Sequence, residues 1–534
     1  MHTCARALTR CTALRSAASY AQCSRLSALH CVNHHRRYST VSAADLSFGQ
    51  PIHETHPHLL SPGELTPGIQ SLEYAQRRDA LARQLPKGGI AILASATVKY
   101  KSRDVFYPFH QDSNFLYLTG FLEPDSLAII TRPADGEGHE FHLYLRDKNP
   151  KEEQWSGPRS GVQAAYDVFN ADYASDIETS TPRAKETISS ATKIFTDIPT
   201  APTSSPPSLL SRLTNLSSSS SSSTTSLLSL LSSHRTIPLS PILHPLRAFK
   251  SPAELSLLRH IGRGSGRAIT ETIRAGFNTR YTPGPPFSFS ATSPTTPSNS
   301  SDTSDRGFSS ESHLSSVLHS NLSHHSLSPA YIPVLAGSPR SRCIHYTLNS
   351  APLTPSSLLL IDAGGELGNY VTDITRIYPN SGVFTPPQRD LYTAVLNVQR
   401  HCLSLCRATA AISLDDLHAT AEKLLSEELS QLGFPTSGYA GKRRMTELFP
   451  HHVGHYVGMD VHDTPTVSRQ RKLEAGMVVS VEPGVYVPDE PDMPERFRGM
   501  GVRVEDTVAI GETGPMVMSA EAVKEVEDIE ALRD

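Results

Sequence analysis

Two periodicities alternate along this chain. Residues 74–85 carry apolar side chains at helical spacing, and 89–93 form a short apolar run of strand length. An aromatic-rich segment at 115–121 and two further strand-like runs, 127–130 and 141–145, follow. This pattern predicts a mixed α/β unit over residues 70–200. A second unit starts near 246. There Ser251, Pro252 and Glu254 make a capping box with Pro at the first helical position, ahead of a helix expected to run through Ile273. A Ser-rich helix at 313–327, strands at 331–335 and 342–346, and a helical stretch at 390–432 broken near Ile412 complete the expectation.

The most informative pattern lies at 356–379. Leu358 to Ile361 reads as a buried strand and ends on Asp362. A turn-rich segment containing Gly364, Gly365, Gly368 and Asn369 follows, and Tyr370 opens a second β-prone run. With the hairpin tip at Leu367-Gly368, Asp362 and Asp373 face each other directly, their Cβ atoms about 4.5–5.5 Å apart. Carboxylates that close repel unless a positive group lies between them. A shared metal ion is one answer. Two turn-proximal Asp residues facing water is the other, and the hairpin alone does not decide.

Three later stretches bear on the choice. His451, His452, His455 and His462 fall within twelve residues, and His451 and His455 share a side on either a strand or a helix. In 477–484, Val479 and Val481 point one way and leave Ser480 and Glu482 on the other face. In 501–506, Val502 and Val504 alternate with Arg503 and Glu505. Singly, a carboxylate on a strand's polar face is ordinarily solvated, and a His in a Gly-rich loop is ordinarily incidental. Jointly, two Asp, one His and two Glu make an oxygen-rich set of five ligands, suited to paired divalent ions such as Mn²⁺, Co²⁺ or Zn²⁺. The absence of Cys from the set argues against a structural zinc site.

Composition narrows the setting. The chain has 534 residues and a net charge of −4. Residues 1–39 contain six Arg and no acid, so the rest carries −10. An acidic body argues against a nucleic-acid partner, and no apolar run is long enough to span a membrane. The Arg-, Ala- and Ser-rich leader has the composition of a mitochondrial transit peptide. Its end, Arg36-Arg37-Tyr38-Ser39, resembles sites where a processing peptidase cuts two residues after an Arg and leaves an aromatic N-terminus for a second enzyme to trim. Four of the seven Cys lie in this leader, and the sparse remainder is no disulfide framework. Cys402 and Cys406, on adjacent helical turns, read as buried thiols. Residues 40–69 read as a linker. Residues 201–245 read as a Ser-rich loop and linker with a short helix possible at 227–231, and 281–312 as a low-complexity insertion within a 246–534 domain.

The order Asp, Asp eleven residues later, His, Glu, Glu resembles the pita-bread metallopeptidases. IDAGGELGNYVTDITRIYP, HHVGHYVGMDVHDTP, VEPGVYVP and FRGMGVRVED resemble the aminopeptidase P branch in particular, as does YPFHQDSNF at 107–115. The similarity runs from about 70 to 530 and is greatest to the mitochondrial intermediate cleaving peptidase group. It implies an α+β fold, with a pita-bread catalytic domain behind an α/β N-terminal domain. It also implies two divalent ions, Mn²⁺ first among them. Asp373 and Glu505 would bridge the ions, Asp362 would bind one, and His455 and Glu482 the other, with a bridging hydroxide as nucleophile. Glu482 would shuttle the proton. His345 and His462 would steady the scissile carbonyl and the oxyanion. His451 would line the site, Tyr486 and Arg503 would orient ligands, and Arg159, in Trp155-Ser156-Gly157-Pro158-Arg159, would reach in from the N-terminal domain. At His452 the sequence departs from many relatives of the branch, which carry a small residue, but resembles the mitochondrial members.

The implied activity is release of one N-terminal residue from peptides or imported proteins, at an Xaa-Pro bond or after Tyr, Leu or Phe, in the mitochondrial matrix, by a homodimer. A prolidase taking only dipeptides and a non-catalytic peptide-binding module on the same fold are the alternatives. The second is disfavoured because all five ligand positions are filled.

Overall fold

The computed structural model describes residues 47–199, 231, 234–281, 306–436 and 438–534. The leader at 1–39, most of the Ser-rich segment after 200, and residues 282–305 of the insertion lie outside these, as does the helix expected at 227–231 apart from Leu231. Leu46–Asp534 packs as one unit.

In the first half, α1 (Ser71–Gln84) is joined by six strands of the main sheet, besides two small hairpins: β1 (Ile90–Ala94), β2 (Leu127–Thr131), β3 (Glu140–Leu145), β4 (Tyr173–Asp176), β5 (Ile194–Thr196) and β6 (Thr236–Ile237). They form one mixed sheet in the order β6-β5-β1-β2-β3-β4. Both faces are covered, which is why these strands read as apolar runs rather than alternations. Ala91, Leu93, Ala128 and Ile130 turn to the main core. Ile90, Ile92 and Ile129 pack in a smaller cluster with Ala184 and Ile188 of the helix Thr181–Ser190. The aromatic segment near 115 is a helix, α2 (Ser113–Thr119), whose first turn is capped by the Asp112 side chain accepting from the Phe115 N–H.

In the second half, α3 (Pro252–Asn278) begins at the expected capping box, with both reciprocal hydrogen bonds made. It is followed by α4 (Glu311–His324), α5 (Pro386–Leu405) and α6 (Leu414–Gln431), with the break before Leu414 close to the position read from the sequence. Its strands include β7 (Val334–Gly337), β8 (Leu358–Asp362), β9 (Gly365–Leu367), β10 (Tyr370–Val371), β11 (Thr375–Pro379), β12 (Val478–Val481), β13 (Gly484–Tyr486), β14 (Gly501–Arg503) and β15 (Asp506–Ala509). Strands β7-β8-β11 form one antiparallel sheet, β12 pairs with β15, and β13 pairs with β14. Segment 342–346 is not a strand. A 3₁₀ turn, Arg340–Arg342, leads into a loop whose polar groups are taken up by side chains.

The hairpin register differs from the expected one by two residues. Leu367 pairs with Tyr370, and Asp362 pairs with Thr375. The tip is Gly368-Asn369, both at positive φ, +60° and +65°. A two-residue hairpin turn of this kind needs two left-handed residues, and Leu367 would be strained there. A shift of two preserves the face, so Asp362 and Asp373 remain on the same side. The first half holds this tip in place. Asn369 donates to the Gln111 carbonyl at 3.0 Å, and Ser113 donates to Asp460 at 2.6 Å in the His-rich loop.

Candidate metal centre

The ends of β8, β12 and β14, with the His-rich loop, converge on a cleft of about 880 Å³. Asp362, Asp373, His455, Glu482, Glu505, His345, His451, His462 and Arg503 all line it. Each carboxylate sits just at or beyond a strand end. There the backbone leaves the ladder and the side chain turns inward.

Asp373, His455 and Glu505 each offer a ligand atom within 4.8 Å of the others, the one such group among the described residues. The other two carboxylates flank it. Glu482 Oε1 lies 3.5 Å from His455 Nε2, and Asp373 Oδ2 lies 3.4 Å from the same nitrogen. His455 Nδ1 donates to the Tyr456 carbonyl at 3.0 Å, which aims Nε2 at the acids. Asp362 joins Asp373 through Tyr331, whose hydroxyl contacts Oδ1 of both, at 2.7 and 2.5 Å. Burial, then the charges of Asp362, Asp373 and Glu505, push the Tyr331 hydroxyl well up, so it stays protonated. Sequence reasoning placed Tyr331 on a strand and gave it no role. Nothing local marks it, because its partners lie 31 and 42 residues away.

The residues fit a divalent cation. Glu505 is buried, its Oε2 accepts from Thr375 at 2.7 Å, and its Oε1 has no hydrogen-bond partner among the described residues. An unpaired carboxylate oxygen facing other acids is poorly placed for protein hydrogen bonding and well placed for a hard ion. The electrostatics of the cluster agree. Burial holds the Glu482 carboxyl up at about 7 and Asp362 at about 6, and burial with the Asp373 charge holds Glu505 well up. Against the pull of burial, Asp373 and Glu482 raise His455 to about 9. Burial also opposes ionisation of Asp373, but the His455 contact outweighs it and keeps that carboxyl low.

The outer residues are fixed by hydrogen bonds. Arg503 is buried and spans three partners: Asp362, Thr375 Oγ1 at 2.9 Å and the Tyr486 hydroxyl at 2.7 Å. His451 Nδ1 donates to the His452 carbonyl at 2.9 Å, so Nε2 accepts from Tyr486, also at 2.9 Å. Burial and the neighbouring Arg503 lower His451 to about 3, so its ring is neutral. Burial, then the charge of His455, lowers His462, whose ring lies edge-on to His455 at 4.4 Å between centroids. Asp415 and Arg469 line the cleft as well, and neither was singled out in the sequence.

Arg159 does not line the cleft. It follows the helix Pro150–Ser156, where it pairs with Glu152 and donates to the Asp147 carbonyl at 3.1 Å. Its neighbours supply local acceptors that a sequence motif does not reveal.

Metal-free protein is expected to lose stability as the pH rises from 5 to 9. Glu482, Asp362 and His455 all have folded-state pKa values above their unfolded ones. Their contribution is therefore complete at low pH and is lost as pH rises through about 6, 7 and 9. Each group taken singly accounts for on the order of 3 kcal/mol. Thermal melts in chelator should fall over this range, and saturating Mn²⁺ should flatten the trend, because the ion binds the deprotonated ligands. A chelated protein that melts higher at pH 9 than at pH 6 would contradict this electrostatic picture.

Residues 262–512 match the model of metallopeptidase family M24, and 74–195 match that of the aminopeptidase P N-terminal domain. The chain is 39% identical over 485 residues to intermediate cleaving peptidase 55 of Saccharomyces cerevisiae, covering 90% of this chain and 88% of that protein. It is 34% identical over 501 residues to Xaa-Pro aminopeptidase 3 of Homo sapiens, covering 91% and 90%. The crystal structure of Icp55 from Saccharomyces cerevisiae superposes with a TM-score of 0.73 at 36% identity, covering 88% of this chain and 99% of that one.

Proposed function

This chain belongs to the M24 metallopeptidases, in their aminopeptidase P group with the pita-bread fold; from that membership we propose that it is a two-metal aminopeptidase that trims one residue from the N-termini of imported mitochondrial proteins. The observation that carries the reading is the Asp373–His455–Glu505 cluster, with its unpaired Glu505 Oε1, in a cleft edged by four further His.

Asp373 and Glu505 would serve both ions, Asp362 one of them, and His455 and Glu482 the other, an assignment that the Asp373–His455–Glu505 grouping supports. The oxygen-rich donor set favours Mn²⁺. The bound ions would supply Lewis acidity toward the scissile carbonyl and a more acidic water. This chain's own residues do the rest. Glu482, in the cleft with its Oε1 3.5 Å from His455 Nε2, is suited to accept and return a proton. His462, kept uncharged, can donate to a developing oxyanion, and His345 shares the same cleft. Tyr486 and Arg503 hold His451 and Asp362 in place.

The names of the relatives support two substrate classes, Xaa-Pro peptides and cleavage intermediates of imported proteins. We favour the second, a single Tyr, Leu or Phe left by presequence cleavage. The chain's own leader with its Tyr38-Ser39 junction supports that reading, and supports residence in the mitochondrial matrix. A homodimer fits the exposed hairpin of strands Tyr100–Ser102 and Val105–Phe106. Tyr100, Val105, Phe106, Tyr107 and Phe109 all lie open there, an apolar edge of the kind proteins usually cover. Sedimentation velocity of the full chain would read a dimer if this holds and a monomer if it does not.

The deciding experiment offers the Mn²⁺-loaded full chain a long peptide starting Tyr-Ser, a long peptide starting Xaa-Pro, and an Xaa-Pro dipeptide. Release of one residue from the Tyr-Ser peptide supports the processing role. Cleavage of the dipeptide alone means a prolidase, and no cleavage with any divalent ion would leave a binding module.

A further inference from the structure

His345 reaches the cleft on a loop that has little backbone support. After a turn at Ile344-His345 the chain to Ser350 belongs to no helix or strand. What holds the loop is side-chain chemistry at its base. Glu311, the first residue of α4, is fully buried and accepts four hydrogen bonds. Its Oε1 takes the Arg340 guanidinium at 2.7 Å and the Gly337 N–H at 3.2 Å. Its Oε2 takes the Tyr346 hydroxyl at 2.7 Å and the Ala351 N–H at 2.8 Å. Asn349, at φ +48°, adds a second strap to the Pro333 carbonyl and the Leu335 N–H.

The arrangement is a buckle. Arg340 and Ala351 bracket the loop, and both close on one carboxylate. Tyr346 is the residue next to His345. Its hydroxyl is committed to Glu311, while His345 lines the cleft, so one carboxylate sets the orientation of the adjacent ring. All four partners are donors, which requires a group that is acceptor-only on both oxygens. A carboxylate meets that requirement. An amide does not, because its NH₂ would face the Ala351 N–H on one side or the Gly337 and Arg340 N–H groups on the other.

We propose that Glu311 is a positioning residue for His345, fixing the loop so that this His faces the scissile bond. The inference rests on the reading of His345 as a substrate-facing group, and the test separates the two. Kinetics on the Mn²⁺-loaded full chain would compare Glu311→Gln, Tyr346→Phe, His345→Ala and each double variant with His345→Ala. The expected result is that Glu311→Gln and Tyr346→Phe each lower kcat by about 10-fold to 100-fold, the scale of a misplaced catalytic group. KM and bound-metal content should stay near wild type. In the His345→Ala background neither substitution should have a further effect. Equal losses in both backgrounds would overturn the proposal, because Glu311 would then act on something other than His345. An active His345→Ala protein would sink the reading of His345 itself, and with it this inference. If Glu311→Gln does not fold, Tyr346→Phe removes a single donor and carries the same comparison.

Discussion

Asp373→Ala is expected to lower kcat/KM by at least about 10³-fold, the scale on which a bound ion's several kcal/mol of charge stabilisation disappears. Asp373 is the member of the cluster on which most contacts converge. It lies against His455, accepts from Tyr331 and belongs to the three-residue group that can hold one ion. The substitution should spare the fold, because the backbone there is clamped independently. Thr507 Oγ1 accepts from the Asp373 N–H at 2.9 Å and donates to its carbonyl at 2.8 Å. Removing one acid also relieves repulsion on Glu505 and Glu482. The metal-free variant should therefore melt within a few degrees of metal-free wild type, while the rise in Tm produced by Mn²⁺ is lost. A variant within tenfold of wild-type activity, or one that still gains stability from Mn²⁺, would remove Asp373 from the centre.

Much of this centre was legible in the sequence because strand geometry constrains parity more tightly than register. The expected tip was one residue early, and Asp362 faces Thr375 rather than Asp373. The two carboxylates still share a hydroxyl, since a slip of two leaves every side chain on its face. The same parity put Glu482 and Glu505 on the sides of their strands that reach the cleft. The mixed sheet at 90–237 was legible only in its apolar runs. Its last two strands are three and two residues long, and parallel pairing across more than forty residues leaves no local signature.

What the sequence withheld was chiefly the supporting shell. Tyr331, Thr375 and Glu311 act through partners far along the chain, and a lone Tyr, Thr or Glu carries no pattern. Segment 342–346 looked like a strand by residue type, yet the donors around it are drawn to the Glu311 carboxylate instead of a ladder. Arg159, outside the cleft lining, is the opposite case. Its motif was recognisable, but acceptors within twelve residues along the chain hold its side chain.

Directly behind Glu505 lies the feature whose loss should destabilise the protein most. Arg376 and Asp506 are both fully buried and pair at 2.7 Å. Arg376 also donates to the Glu505 carbonyl at 2.5 Å and to the Ala522 carbonyl at 3.0 Å. Asp506 accepts from Lys524, Gln399 and Ser519 as well, at 2.6, 2.7 and 2.6 Å. Although burial opposes its ionisation, Arg376 and Lys524 hold Asp506 down at about 2, so its contribution is present above the ordinary Asp value and is lost only in strong acid. Arg376→Met keeps most of the volume and strips one charge from the pair. It is expected to lower stability by about 3–5 kcal/mol, the usual result of leaving a buried ion without its partner. Urea melts should show the midpoint falling with an unchanged slope. Acid unfolding should begin at higher pH, because Asp506 then keeps only Lys524 as a counter-charge. A second consequence separates this from a generic core defect. The Glu505 backbone loses its donor, so Mn²⁺ affinity should fall together with stability, whereas a cavity in a distant part of the core would lower stability alone. If Arg376→Met melts like wild type, the pair is not the support beneath Glu505 that its hydrogen bonds describe.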